Sequence, residues 1–285
     1  MEAVDRKDLI GFIGLGNLGQ SMALRLLATG WSVAVADQNS GRVDACIQHG
    51  AIEPDPERGL ADCSVVGIAV PDDEAVTSLC LGEGGLFNVL AKESTIIIHS
   101  TVLPETAKSL ASQAASHGLA LLDAPVSGGA RAAMEGKLTL MVGGDPSDLD
   151  KVRPLLDDLA GVVLHAGPVG AGEATKLANQ LMMFAALAGV HEALDLAAAY
   201  GVDEKLVLQA VGSSTGDSWV ARNWGFFDEV AAAYNQNETP IKYRPWSKDL
   251  WDVVAAARTG DVSLPFAGLL AQSLADRVEN HSTQH

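Results

Sequence analysis

Leu9-Ile10-Gly11-Phe12-Ile13-Gly14-Leu15-Gly16-Asn17-Leu18-Gly19 places a short apolar run directly before glycines spaced G-x-G-x-x-G. The run reads as a strand, and residues 20–27 after it have helical character. Any glycine-rich turn can produce the three glycines; the strand before and the helix after give them meaning. Gly14 suits a tight turn, Gly16 lets backbone come close to a pyrophosphate, and Gly19 lets helix and strand pack closely. The helix start then offers free N–H groups to the phosphates. The whole turn (Gly14, Leu15, Gly16, Asn17, Leu18, Gly19) is therefore the first candidate for binding a dinucleotide. A second strand-like run, 32–36, ends at Asp37. A carboxylate there suits the adenine ribose hydroxyls and repels a 2′-phosphate, so NAD is favoured over NADP. Gln38 and Asn39 add no positive charge, although Arg42 lies near.

Further strand-like runs occur at 65–69, 95–99, 119–122, 138–142 and 162–165, with helical stretches such as 21–28 and 105–116 between them. They are short and rich in Val, Ile and Leu, as in a parallel sheet covered on both faces. Alternating strands and helices imply right-handed βαβ units. The pattern changes at Gly167-Pro168-Val169-Gly170-Ala171-Gly172. After it comes a long Ala/Leu/Met-rich stretch, 173–200, stopped by Gly201, and more helical stretches to about 278. The expected fold is α/β: a Rossmann-like doubly wound sheet over 1–168, then an all-α C-terminal domain over 169–285, with a frayed polar tail at 279–285. In the long stretch Leu181, Met182, Met183, Phe184, Leu187 and Val190 cover more than one face, which predicts a helix buried all round. Either the α/β domain covers such a helix in a monomer or a second subunit does, and a homodimer is expected.

The net charge of −17 leaves no basic stripe for nucleic acid and disfavours an anionic membrane surface. No run resembles a membrane span, and the charged N-terminus lacks a signal-peptide core. Cys46, Cys63 and Cys80 are scattered, and the seven histidines show no ligand spacing. Neither a metal site nor a disulfide framework follows, and a cytoplasmic setting is expected. His99 and His191 read as structural.

Three more segments carry chemistry. Ile98-His99-Ser100-Thr101 and Asp123-Ala124-Pro125-Val126-Ser127-Gly128-Gly129 both lie at strand ends, where ligands of open α/β sheets gather. Ser127, Gly128 and Gly129 would offer a hydroxyl and successive N–H groups to a carboxylate. In Gly172-Glu173-Ala174-Thr175-Lys176-Leu177-Ala178-Asn179-Gln180 the residues Gly172, Lys176 and Gln180 share one helix face, with Asn179 beside them. A lysine in so apolar a stretch is either a snorkelling surface residue or a buried acid–base group with a lowered pKa.

Together these segments resemble the β-hydroxyacid dehydrogenase family, which includes 3-hydroxyisobutyrate dehydrogenase and tartronate semialdehyde reductase. The resemblance runs over nearly the whole chain and adds Lys248-Asp249-Leu250. It implies Lys176 as the catalytic lysine, and Ser127, Gly128 and Gly129 as the substrate-carboxylate loop. Gln180, with Asn179 adjacent, falls on the family's polar position one turn after the lysine. Thr101 falls near nicotinamide and substrate, Val70 and Pro71 in a cofactor loop, and Lys248 on a lysine that reaches the cofactor. The resemblance implies a homodimer or homotetramer, and NAD-dependent interconversion of a small 3-hydroxyacid with its semialdehyde or 3-oxo acid. Lys176 would take or give the hydroxyl proton. The same residues suit a reductase working mainly towards the alcohol.

Two readings compete. An imine reductase shares the architecture but usually lacks the lysine, and a dinucleotide-binding pseudoenzyme would not need Lys176, Ser127 and Lys248 together. Decarboxylating 6-phosphogluconate dehydrogenase is a longer relative with a His before the Asn, where this chain has Ala178-Asn179. The resemblance loosens after residue 212. Trp219, Trp224, Trp246 and Trp251 cluster there with Arg222, Phe226, Phe227, Tyr243 and Arg244. That cluster is either core or interface, or a wall for a larger, doubly anionic substrate.

Overall fold

The computed structural model describes residues 3–55 and 57–283. They form two compact units, Met1–Lys176 and Leu177–His285.

The first unit is built on an eight-stranded sheet: β1 Leu9–Ile13, β2 Ser32–Ala36, β3 Val65–Ile68, β4 Thr95–Ile98, β5 Ala120–Asp123, β6 Val126–Ser127, β7 Leu138–Gly143 and β8 Ala160–Gly167. The order is β2-β1-β3-β4-β5-β7-β6, with β8 also on β7. Between the strands run α1 (Asn17–Ala28), α2 (Ser40–Ile47), α3 (Asp73–Leu81), α4 (Leu86–Val89), α5 (Pro104–Ser116), α6 (Gly129–Glu135) and α7 (Pro146–Leu159). Strands β1 to β5 are parallel. The side chains alternate between two cores. Val65 and Ile97 enter one; Val66, Ile68, Ile96 and Ile98 enter the other. That two-residue period, apolar on both faces, is what a sheet sandwiched by helices requires. Strand order reverses beside β1, which puts a ligand crevice at its carboxyl end.

Two features depart from the sequence expectation. β7 runs antiparallel to β5 and β6, so the sheet is mixed. An apolar run has the same composition in either direction, and only the intervening turn residues decide. The two-residue β6 is too short for any periodicity to reveal.

The second unit is all helical. It is built on the long α8 (Ala171–Ala199), which starts in the first unit, together with α9 (Glu204–Val211), α10 (Trp219–Arg222), α11 (Phe226–Gln236), α12 (Pro245–Thr259) and α13 (Pro265–Ser282). The two units divide within α8, whose start is tied to the sheet: Gly170 and Glu173 N–H groups both donate to the Asp123 carboxylate. The helix α13 also continues well into the tail expected to fray, and Gln284 and His285 lie outside the described residues.

By length and composition α8 would cross a membrane, contrary to the sequence expectation. It packs instead as the central helix of its unit, with Phe184 and Leu187 fully buried among α11, α12 and α13 residues. It is not buried all round: Met182 is 75% exposed, and Leu196 and Tyr200 also face outward.

Candidate active site

The three glycines of the first turn do three different physical jobs. Gly14 has φ +89°, and a Cβ there would lie 2.3 Å from the Ala69 carbonyl oxygen. A Cβ on Gly19 would lie 1.9 Å from the Gly14 carbonyl oxygen. Both are demanded by backbone packing. A Cβ on Gly16, by contrast, would meet nothing within 4 Å. Gly16 is the N-cap of α1, and no side chain caps that helix. The turn is thus packed tight behind and open in front, at a helix N-terminus that favours an anion. This fits a dinucleotide pyrophosphate.

Asp37 ends β2 with its side chain largely buried. One carboxylate oxygen accepts the Leu15 N–H at 2.5 Å, and the other accepts the Asn39 N–H at 2.8 Å. It therefore braces the glycine turn as well as standing where a ribose would bind. A carboxylate has about four acceptor sites, so ribose hydroxyls still find partners. Arg42 lies 4.0 Å from the same carboxylate, which holds it as a counter-charge. On the neighbouring strand end, the Val70 N–H donates to Ser100 Oγ at 2.8 Å, fixing the Val70-Pro71 loop to the segment that carries Thr101. His99, fully buried, has its Nδ1 2.9 Å from the Ala124 carbonyl oxygen, and burial pushes its pKa down to about 4. It stacks on Phe12. A neutral, enclosed imidazole of this kind is structural, as expected.

Lys176 is only 7% exposed. Its Nζ donates to the Val126 carbonyl at 2.8 Å, which sets the ammonium beside the loop Ser127, Gly128 and Gly129. Gly128 and Gly129 have φ of +130° and +73°, a backbone that only glycine adopts without strain. The snorkelling reading of Lys176 fails on this burial.

Two carboxylates that the sequence did not single out organise this arrangement. Asp123 is fully buried and caps α8 through Gly170 N–H at 2.8 Å and Glu173 N–H at 2.9 Å. Burial raises its pKa despite those bonds. Gly143 and Gly172 make room for it: a Cβ on Gly143 would lie 2.4 Å from Asp123 Oδ1, and one on Gly172 would lie 2.7 Å from the Asp123 carbonyl oxygen. Glu173, also fully buried, accepts the Val102 N–H at 3.2 Å. The α8 start, the DAPVSGG segment and the residue after Thr101 are thereby pinned together.

In the second unit Gln180 is buried. Its Nε2 donates to Asp249 Oδ2 at 2.6 Å, and its Oε1 accepts from Asn179 Nδ2 at 3.2 Å. Lys248 Nζ lies 2.6 Å from Asp252 and 3.7 Å from Asp249. The aromatic segment resolves mainly as core. Trp246 is fully buried, with Phe227 and Tyr234 on its ring and its N–H on Glu279. Arg244 pairs with Glu279 at 2.6 Å and also binds Asn235 and the Thr239 carbonyl. A guanidinium so fully engaged is a structural staple, not a second anion site. Trp219 and Trp251 remain about half exposed. Among the described residues no cluster of His, Cys, Asp and Glu is arranged to hold a metal.

Residues 9–167 match the model for the NAD binding domain of 6-phosphogluconate dehydrogenase, and residues 170–285 match the NAD-binding region of NADP-dependent 3-hydroxyisobutyrate dehydrogenase. The chain belongs to the β-hydroxyacid dehydrogenase family. Relatives that resemble it are named as hydroxyacid dehydrogenases, and the chain is an NAD-dependent 3-hydroxyacid dehydrogenase. It is 35% identical over 269 residues to a 3-hydroxyisobutyrate dehydrogenase of Pseudomonas aeruginosa, and equally to an NAD-dependent L-serine dehydrogenase of that organism; each alignment covers 93% of this chain and 90% of the relative. Among solved structures it is similar to the Mycobacterium tuberculosis 3-hydroxyisobutyrate dehydrogenase with L-serine (TM-score 0.81, 28% identity, 96% and 95% coverage). An imine reductase from Myxococcus stipitatus, at 16% identity and TM-score 0.66, shares the fold alone.

Proposed function

We infer that this enzyme oxidises a small 3-hydroxyacid with NAD, or reduces its semialdehyde or 3-oxo acid with NADH, and that Lys176 is the proton-transfer residue. The observation that carries the reading is the buried Lys176 ammonium held at Val126, next to the Ser127–Gly129 loop. The glycine turn and Asp37 would hold NAD, with Val70, Pro71, Thr101 and Lys248 contributing as the family resemblance implies. NAD, when bound, supplies the hydride acceptor. Ser127, Gly128 and Gly129 bind the substrate carboxylate by hydroxyl and N–H donors, which fixes the carbinol carbon. Asn179 and Gln180 orient the substrate. Lys176, in its neutral form, takes the proton from the hydroxyl oxygen; in the reverse direction its ammonium returns that proton to the forming alkoxide. The Asp37 carboxylate favours NAD over NADP.

Lys176→Ala tests the assignment. It is expected to lower kcat by orders of magnitude while the Kd for NADH, read by fluorescence, stays within about twofold. A variant that turns over like wild type would rule out Lys176 as the acid–base group. The retained lysine also separates this reading from the imine reductase one.

Met182, Leu196 and Tyr200 face outward on α8, which together with α13 also walls a groove of about 610 Å³. Ala185, Ala188, Gly189, Phe266 and Leu269 line it together with polar and charged side chains, among them Glu192, Asp195, Asp276 and Arg277. Exposed apolar side chains around small ones suit close approach of another helix. A second copy of the chain is the proposed occupant, giving a homodimer. The three cysteines are free and buried, which suits a reducing, cytoplasmic setting.

A further inference from the structure

We propose that Asp249 is a positioning residue that sets the direction in which the Asn179–Gln180 amide pair presents its donors and acceptors. The proposal rests on the reading of those two amides as substrate-orienting groups.

An amide side chain has an oxygen end and a nitrogen end of nearly the same shape. Only the hydrogen-bonding partner decides which end goes where. A carboxylate accepts and never donates, so it removes the ambiguity. Asp249 is buried, and its Oδ2 lies 2.6 Å from the Gln180 amide. Gln180 must therefore turn its nitrogen to Asp249. Its oxygen is then the acceptor for Asn179 Nδ2, at 3.2 Å. The polarity of both amides follows from one carboxylate, passed on through two hydrogen bonds.

Asp249 is itself held still. It sits on α12, where Trp246, Leu250 and Val253 recur at helical spacing and are buried. Trp246 is further anchored by its N–H on Glu279. Lys248 has its nearer carboxylate in Asp252, at 2.6 Å, and stands 3.7 Å from Asp249. Removing the Asp249 charge therefore leaves Lys248 with Asp252. Stability alone gives little reason for a carboxylate here, because a buried charge is often no better for stability than an apolar side chain of similar volume. Fixing the direction of an amide pair is a task that an apolar residue cannot perform.

The test is a double-mutant cycle on Asp249→Asn and Gln180→Leu, assayed with NAD and whichever 3-hydroxyacid the enzyme turns over fastest. The amide introduced by Asp249→Asn offers Gln180 both a donor and an acceptor, so the Gln180 side chain can reverse. Asp249→Asn is expected to lower kcat/KM for the hydroxyacid by about tenfold, the scale of a hydrogen bond to a charged group, with the KM for NAD within about twofold. In the Gln180→Leu background the same change is expected to add nothing, since Asp249 then has no amide to direct. Asp249→Glu keeps an acceptor-only group and should recover more kcat/KM than Asp249→Asn. Full additivity, or wild-type kcat/KM in Asp249→Asn, overturns the proposal. If Asp249→Asn does not fold, Gln180→Met replaces it: a thioether has no proton to donate to Asp249, and wild-type kcat/KM in it likewise overturns the proposal. Lys176→Ala separates the levels. An active Lys176→Ala enzyme sinks the proposed mechanism, whereas an inactive one with an additive cycle sinks only the role of Asp249.

Discussion

Gly14, Gly16 and Gly19 share one spacing but not one consequence. A methyl group on Gly19 would strike the Gly14 carbonyl, whereas one on Gly16 would stand in open space. Gly16→Ala is therefore expected to leave the thermal midpoint within a degree or two, yet raise the KM for NAD by about tenfold, by filling the pyrophosphate approach. Gly19→Ala is expected to lower the midpoint by several degrees, because backbone must move. Steady-state kinetics and thermal melts on the two variants check this contrast, and equal effects on both would refute it. The glycines were legible in the sequence because their spacing is local. Asp37 was half legible: its place at the end of β2 follows from the sequence, but its bond to the Leu15 N–H joins residues 22 apart. Asp123, Glu173 and Asp249 escaped notice for the same reason. Their partners lie some 50 to 70 residues away, and no periodicity reports a hydrogen bond across that distance.

The start of α8 shows what an element needs in order to carry a catalytic side chain. Its first N–H groups are capped not by a neighbour in sequence but by Asp123, from the end of β5. Such a cap satisfies donors that would otherwise be left unpaired at a buried helix end. Gly172 lets the helix approach: a Cβ there would lie 2.3 Å from the Met141 carbonyl oxygen. Gly172→Ala is expected to cost on the order of 2 kcal/mol in urea unfolding and to lower kcat as well, since it displaces the turn that ends at Lys176. Unchanged stability would mean that the helix start is not held as described. The strands themselves were legible, since apolar runs with β-branched residues, stopped by Gly14 after β1 and by Asp37 after β2, mark both to the residue. The antiparallel direction of β7 was not, because side-chain burial is the same either way.

Among the described residues each unit carries one buried histidine. Burial pushes His99, and also His191 with the nearby His281 and Arg277 charges adding to the effect, down to about 4. A depressed histidine pKa means that the unfolded chain binds more protons than the folded one between about pH 6.5 and 4. The stability due to these neutral rings is full above that window and is lost as pH falls through it. Thermal midpoints should drop on going from pH 7 to 4.5, and the drop should be shallower in His191→Phe; an equally steep drop would remove His191 from the account. The long helix also bears on assembly. Its sequence predicted burial on every side, while Met182, Leu196 and Tyr200 remain exposed. The discrepancy is resolved if a second copy covers them, so Met182→Asp is expected to halve the mass measured by light scattering. A wild-type chain that is already monomeric would contradict the dimer. The reaction is tested by incubating the enzyme with NAD or NADP and a panel of small 3-hydroxyacids, following absorbance of the reduced nicotinamide. NAD reduction is expected with at least one of these acids, faster than with NADP, and abolished in Lys176→Ala. No reduction with any of them, or reduction that persists in Lys176→Ala, would contradict it.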